Sequence, residues 1–511
     1  TSSTTTTGVG PTSSGLGAAP WSTSGPDLVD AAGNEVMIRG VNWFGFETSS
    51  FMPHGLWQRS WRSMLDQIAE LGFNTIRLPF SSAMLEPGVR PVGIDASSNA
   101  DVADLTSLEL MDEIIGYSGE LGLRIILDRH ALGPDDRNEL WYDETYSPER
   151  FIEDWELLAE RYADDPTVIG ADLYNEPHDQ ACWGCGDPAV DWRLAATEAG
   201  DAIHAIEPGW LIFVEGVEHV DGASCDGPEA TDCIWWGGNL LDAAAEPIEL
   251  ARPDKVVYSP HEYATSVFRQ PWFDDPAFPD NLPGIWDRFW GYLEQDEIAP
   301  VMVGELGTTL DDPVDAVWLE ELLAYLDTNG IGFTFWTFNP NSGDTGGILT
   351  DDWETVDEER YGFLEPYLLG PFDGSTPESD DPSPAAPPTT QPAAPVTTAI
   401  PTTEPASAST CSLEVVNTWD SGYQADLTVT NAGDGTLDDW SVTWTFHDGE
   451  RIANAWGVVA TATGTSVTAT AAEWNRSLAP GGVAEAGFVA EHDGSPDTPP
   501  DGLTLDGVPC G

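Results

Sequence analysis

The chain has 511 residues, 88 of them acidic and 18 basic, and so a formal net charge of −70. A surface of that sign repels nucleic acid and anionic membranes, which excludes both as partners, while the 41% hydrophobic content is ordinary for a folded protein, so the charge decorates a globule and reads as adaptation to concentrated salt. No apolar run reaches the roughly 18 residues that cross a bilayer, and the chain starts at Thr1 without Met, so an export signal already removed and a secreted, monomeric protein are expected.

Residues 1–20 form a Thr/Ser/Gly tract with almost nothing to bury. Residues 372–410 are a Pro/Thr-rich linker that in extended polyproline geometry spans on the order of 120 Å. They bracket a domain at 21–371 and separate it from another at 411–511. In the first, eight short apolar runs alternate with amphipathic helical patterns: MIRGVNWF, FNTIRLPF, LRIILDRH, VIGADLYN, WLIFVEG, KVVYSPHEY, APVMVGEL and IGFTFWTF. That alternation predicts an α/β fold, a (β/α)8 TIM barrel. The region from Cys411 changes to short Val/Thr/Trp strands punctuated by Gly, Asn and Asp, which predicts an all-β sandwich.

The cysteines fall in three sequence-separated pairs, Cys182 with Cys185, Cys225 with Cys233, and Cys411 with Cys510. An oxidising compartment explains an even set of this kind. A zinc site at Cys182–Cys185 lacks the second Cys or His pair that metal-ligand spacing requires. The 22 tryptophans exceed what packing needs and suggest a stacking surface.

In a barrel of this type the active site forms at the carboxyl ends of the strands. Read in order, those ends carry Arg77, Asp128-Arg129-His130, Asn175-Glu176, His261-Glu262-Tyr263, Gly304-Glu305 and Trp336. The proline after Glu176 is expected to hold that residue extended at a strand tip. Carboxylates on the fourth and seventh strands lie across the barrel mouth from each other, as glycosidic cleavage by two acids requires.

This ordered set, R-L-P, D-R-H, N-E-P-H, H-E-Y, G-E-L-G-T-T and F-W-T-F-N-P, resembles glycoside hydrolase family five, in particular secreted endoglucanases that carry a C-terminal cellulose-binding module. The resemblance implies Glu176 as acid/base and Glu305 as nucleophile, with Arg77, His130, Asn175, His261, Tyr263 and Trp336 around the cleavage subsite. Arg77 and Tyr263 favour an ionised Glu305. Glu176, with no cation assigned to it, is expected to have a raised pKa and so to start as the acid. Trp43 and the Trp235-Trp236 pair are candidates for further glucose subsites. The chain departs from the family pattern at Phe338, where a second Trp is common, and at Leu306, where Phe is usual.

The C-terminal region, with Cys at both ends and N-T-W-D-S-G-Y, W-S-V-T-W, N-A-W and E-W-N-R-S-L, resembles carbohydrate-binding module family two. Position matching implies Trp419, Trp456 and Trp474 as a planar strip for cellulose, with Trp440 and Trp444 in the core. The whole then reads as a retaining endo-β-1,4-glucanase acting on cellulose or a related β-glucan, with no metal or organic cofactor. A β-mannanase or other β-glucanase on the same scaffold, or a non-catalytic polysaccharide-binding protein, are the alternatives.

Overall fold

A computed structural model describes residues 17–134, 136–219, 233–372 and the strand segments between 410 and 510. The chain divides into two compact units between Pro384 and Ala385.

The first unit opens with a hairpin of β1 (Ser22–Ser24) and β2 (Asp27–Val29). A parallel sheet follows, made of β3 (Arg39–Asn42), β4 (Thr75–Ser81), β5 (Arg124–Ala131), β6 (Val168–Asp172), β7 (Leu211–Val214), β8 (Val256–Tyr258), β9 (His261–Tyr263), β10 (Met302–Gly307) and β11 (Gly332–Phe335), in the order β8-β7-β6-β5-β4-β3-β11-β10-β9. These strands fill eight positions, because β8 and β9 are successive pieces of one run broken at Ser259-Pro260. Proline cannot donate to a ladder, and the halves divide the work: β8 pairs with β7, and β9 with β10. A bridge between Tyr258 and Val301 closes the ring. The predicted TIM barrel and its eight strand runs are therefore present.

Helices α1 (Trp61–Glu70), α2 (Ser107–Glu120), α3 (Pro148–Arg161), α4 (Trp192–Ile206), α5 (Leu282–Trp286), α6 (Tyr292–Gln295), α7 (Pro313–Thr328) and α8 (Glu358–Leu364) cover the strands, with one π-helical turn, Asp287–Gly291, joining α5 to α6. Their starts follow local rules. Thr106 and Glu109 form a capping box on α2, and Ser147 caps α3 ahead of Pro148 at its first turn. Trp61, Met64, Leu65 and Ile68 form the buried face of α1.

Inside the barrel the lower layer is apolar, with Ile126, Ile169, Leu211, Phe213, Val257 and Met302 packed beneath Trp21. The first and last described residues of the unit lie near this lower face. The Phe372 ring sits 5.0 Å from Trp21, and its amide donates to Gly122 O at 3.1 Å. Lys255, the only lysine of the chain, is buried there and donates from Nζ to the carbonyls of Trp21 and Gly209.

The second unit has β12 (Thr410–Trp419), β13 (Gly422–Thr430), β14 (Leu437–Asp438), β15 (Ser441–Thr445), β16 (Arg451–Trp456), β17 (Val458–Thr463), β18 (Ser466–Ala471), β19 (Ser477–Leu478), β20 (Val483–Glu491), β21 (Asp501–Leu505) and β22 (Val508–Pro509). They form sheets β12-β13-β20-β16 and β17-β18-β15-β21-β22, with a short β14-β19 ladder. Trp444 stacks on Phe488 across the two main sheets at 4.8 Å, and Trp440 is buried beside them, so both are core as expected. Disulfides join Cys411 to Cys510 and Cys182 to Cys185. Cys233 is also disulfide-bonded, and Cys225 lies outside the described residues.

Candidate active site

The upper layer of the barrel replaces apolar side chains with charge. Arg77, fully buried on β4, is its centre: Nε donates to Asp172 Oδ2 at 2.8 Å, Nη1 to Glu305 Oε1 at 2.5 Å and Asn42 Oδ1 at 3.1 Å, and Nη2 to Asn175 Oδ1 at 3.0 Å and Glu215 Oε1 at 3.1 Å. Asp128 Oδ2 lies 3.1 Å from Nη1. Four carboxylates around one guanidinium outweigh the cost of burying it, and hold its pKa well above the usual arginine value.

Strand alternation does the aiming. On β5, Asp128 and His130 face the mouth, while Arg129 between them faces the helices and donates to Ser82 Oγ and Trp141 O. His130 Nδ1 lies 2.8 Å from Asp128 Oδ2. Burial opposes its charge, but Asp128 and then Glu305 raise its pKa to about 9. Its ring stacks on Trp336, which stacks in turn on Phe44, at centroid distances of 5.3 and 5.4 Å. On β9, His261 and Tyr263 face the mouth, and the Tyr263 hydroxyl donates to Glu305 Oε2.

His261 joins the two glutamates. Its Nδ1 lies 2.9 Å from Glu176 Oε1 and 3.6 Å from Glu305 Oε2, and its Nε2 lies 3.2 Å from Glu215 Oε1. An oxygen of Glu176, one of Glu305 and the His261 nitrogen fall within 4.8 Å of one another. Burial works against an imidazolium, yet Glu215 and Glu305 raise the His261 pKa well above its ordinary value.

Two expectations for Glu176 are overturned. It is not extended before Pro177: its φ is 51°, in the left-handed region, and its amide is held by Glu215 Oε2 at 2.7 Å. Nor is its pKa raised. Burial pushes it up, but the hydrogen bond and charge of His261 prevail and bring it below the usual carboxylate value. Glu215 is raised instead: burial, with the Asp172 charge added, lifts its carboxyl to about 8 against the pull of His261 and Arg77. Asp172 is itself raised to about 6 by burial, against the pull of Arg77.

Arg77, His130, Asn175, Glu176, His261, Tyr263, Glu305 and Trp336 are thus brought together at the mouth. Trp43 is not with them. It is fully buried, donates from Nε1 to His54 O at 3.0 Å and packs edge-on against Phe338 at 6.5 Å, which leaves no face for a sugar. Trp235 is buried too, whereas Trp236 is 36% exposed and its ring lies flat on His178 at 3.8 Å. The tryptophan excess is largely core, with Trp61, Trp155, Trp192, Trp286, Trp290 and Trp318 all buried.

Sequence reading missed Glu215, Asp172, Asn42 and Phe44 as members of the site. Glu215 carried the same signal that exposed Glu305, a carboxylate ending an apolar run, Leu211-Ile212-Phe213-Val214. Beneath it Gly237 adopts φ +70°, and a Cβ there would lie 2.2 Å from Glu215 Oε2, so this turn requires glycine. In the second unit, Trp474 lies outside the described residues. Trp419 pairs with Gly422 and Trp456 with Gly487, positions that alternate with the buried Tyr423 and Phe488.

A layered barrel with two carboxylates facing each other across its mouth defines a glycoside hydrolase site. Residues 29–342 match the family described as Cellulase (glycosyl hydrolase family 5), and residues 409–510 match the Cellulose binding domain. An endoglucanase of Paenibacillus polymyxa is 49% identical over 346 residues, 67% of this chain and 85% of that protein. The major extracellular endoglucanase of Xanthomonas campestris pv. campestris is 38% identical over 471 residues, 91% of this chain and 93% of that one. The endocellulase of Pyrococcus horikoshii, solved in complex with cellotetraose, superposes with a TM-score of 0.64 at 42% identity, covering 69% of this chain and 98% of that one. The chain belongs to glycosyl hydrolase family 5 and carries a cellulose-binding domain at its C-terminal end.

Proposed function

We propose that the protein is a secreted, monomeric, retaining endo-β-1,4-glucanase that cleaves cellulose or a related β-glucan, tethered by its C-terminal module and adapted to concentrated salt. The observation that carries this reading is the approach of Glu176 and Glu305 to within 4.8 Å, with His261 between them. Retaining enzymes keep their two carboxyl groups about 5–5.5 Å apart, whereas inverting ones leave room for a water molecule.

Glu305, ionised and held by Arg77 and Tyr263, attacks the anomeric carbon as the bond to the leaving oxygen breaks and Glu176 protonates that oxygen. Water then gives a proton to Glu176 and displaces Glu305 from the sugar. With the pKa of Glu176 lowered and that of His261 raised, the proton that Glu176 must deliver starts on His261, whose Nδ1 lies 2.9 Å from Glu176 Oε1. In this reading Asn175, which accepts from Arg77, binds the sugar 2-hydroxyl, and Trp336, stacked between His130 and Phe44, is the platform for the ring. The extracellular relative, the matched cellulose-binding domain, and the shared register parity of Trp419 and Trp456 support the secreted and tethered parts of the reading.

The test is the configuration of the first product from a soluble β-1,4-glucan, followed by proton NMR, with Glu305→Gln in parallel. We expect a retained anomer and turnover lowered by at least about 10⁴-fold in the variant, with adsorption to cellulose unchanged. An inverted product, or a variant with substantial turnover, would refute the mechanism.

A further inference from the structure

Between His261 and Tyr263 stands Glu262, fully buried and turned by strand alternation toward the helical layer. Trp318 Nε1 on α7 donates to its Oε1 at 3.4 Å. The indole N–H groups of Trp286 at the end of α5, Trp235 in the loop after β7, and Trp290 in the π-helical turn surround the same carboxyl. They are close enough to lower its pKa, though outside strict hydrogen-bond geometry. Burial is the stronger influence and lifts that pKa to about 7; the four indoles are the largest forces opposing it.

An apolar side chain would fill such a place at lower cost. What a buried carboxyl bonded to a donor on a neighbouring helix adds is a fixed position. Strand β9 needs one. It is three residues long, separated from β8 by Pro260, and its ladder runs to β10 alone, whereas β3 to β7, β10 and β11 are each paired on both sides. Yet β9 carries His261, which bonds Glu176, and Tyr263, which bonds Glu305.

We propose that Glu262 is a positioning residue: hydrogen-bonded by Trp318 Nε1 on α7, with the indoles of Trp235, Trp286 and Trp290 around it, it bolts β9 to the helical layer so that His261 and Tyr263 reach the two glutamates. This rests on the functional reading above and deepens it. A residue acting this way affects interactions made in the transition state more than substrate binding.

The experiment compares Glu262→Gln, Glu262→Leu and Trp318→Phe with the parent protein on a soluble cello-oligosaccharide well below the melting temperature. In parallel, amide hydrogen exchange is measured across the barrel. We expect kcat to fall between about tenfold and a hundredfold in Glu262→Leu with KM changed less than about threefold, since misplacement near 1 Å has effects of that order. Glu262→Gln, which keeps an acceptor oxygen, should lose less. Trp318→Phe, which keeps the shape and removes one donor, should lose least. Exchange should quicken at residues 261–263 with the other strands unchanged. A Glu262→Leu protein with the parent kcat and unchanged exchange at β9, or one in which protection falls uniformly, would overturn the proposal. A parent protein inactive on β-1,4-glucans would instead refute the functional reading, and the exchange measurement would still decide the role of Glu262.

Discussion

Five carboxyl groups, Asp128, Asp172, Glu176, Glu215 and Glu305, share the mouth of the barrel with Arg77, His130 and His261, and burial makes their protons interdependent. The consequence for stability has a definite sign. His130 is raised from 6.5 to about 9 and Glu215 from 4.5 to about 8. A group whose pKa is higher in the folded state contributes stability that is complete below its unfolded value and lost as pH rises through the folded one. Both groups act in the same direction, so the melting temperature should fall between pH 6.5 and 9 at fixed salt. Replacing His130 with Asn should flatten that fall, which differential scanning calorimetry across pH would show. An unchanged slope would mean that His130 is not held charged. The sequence revealed which residues meet here but not their proton balance. Glu176 gains its cation from His261, 85 positions away, and no local pattern foretells that contact. Trp43 misled for a similar reason, since the partners that bury it, His54 and Phe338, come from other loops.

At the scale of elements, the strands were legible because each is a short apolar run ending in polar residues, and the barrel rule assigned those polar ends to one face. The closure of the opposite face was not legible. The β1–β2 hairpin and Phe372 seal the lower end through contacts with Gly122, Arg124 and Lys255, which sequence reading had no reason to group. Lys255 is the keystone of that seal. Its Nζ donates hydrogen bonds to two carbonyls, and its replacement by Met keeps the length of the chain while leaving Trp21 O and Gly209 O without that donor. Buried acceptors left unpaired cost about 1–3 kcal/mol each. The melting temperature of Lys255→Met should therefore drop by on the order of 5 °C. Activity at low temperature should be preserved, because the mouth lies at the other end of the strands. A thermal shift of under 1 °C would show that the ammonium contributes nothing to the seal.

For the whole molecule, the dominant quantity is the net charge of −70. At roughly 1 M salt the Debye length is about 3 Å, so repulsion between surface carboxylates is nearly abolished; in dilute buffer it returns and favours expansion. Excluded salts also strengthen apolar burial. Melting temperature and activity should both rise along a salt series at fixed pH, measured by calorimetry and by reducing-sugar release. Values that are flat from dilute buffer to molar salt would refute the salt adaptation and leave the glucanase reading untouched.

The single lysine has one more consequence, for covalent chemistry. Reagents that acylate side-chain amines or form imines with them need an accessible neutral amine, and the only lysine of this protein is 2% exposed beneath Trp21. Attachment to a support through lysine is therefore closed to the folded protein. Coupling through side chains can use the carboxyl groups, which are abundant, and every amide bond made there erases one of the surface charges that salt would otherwise have to screen.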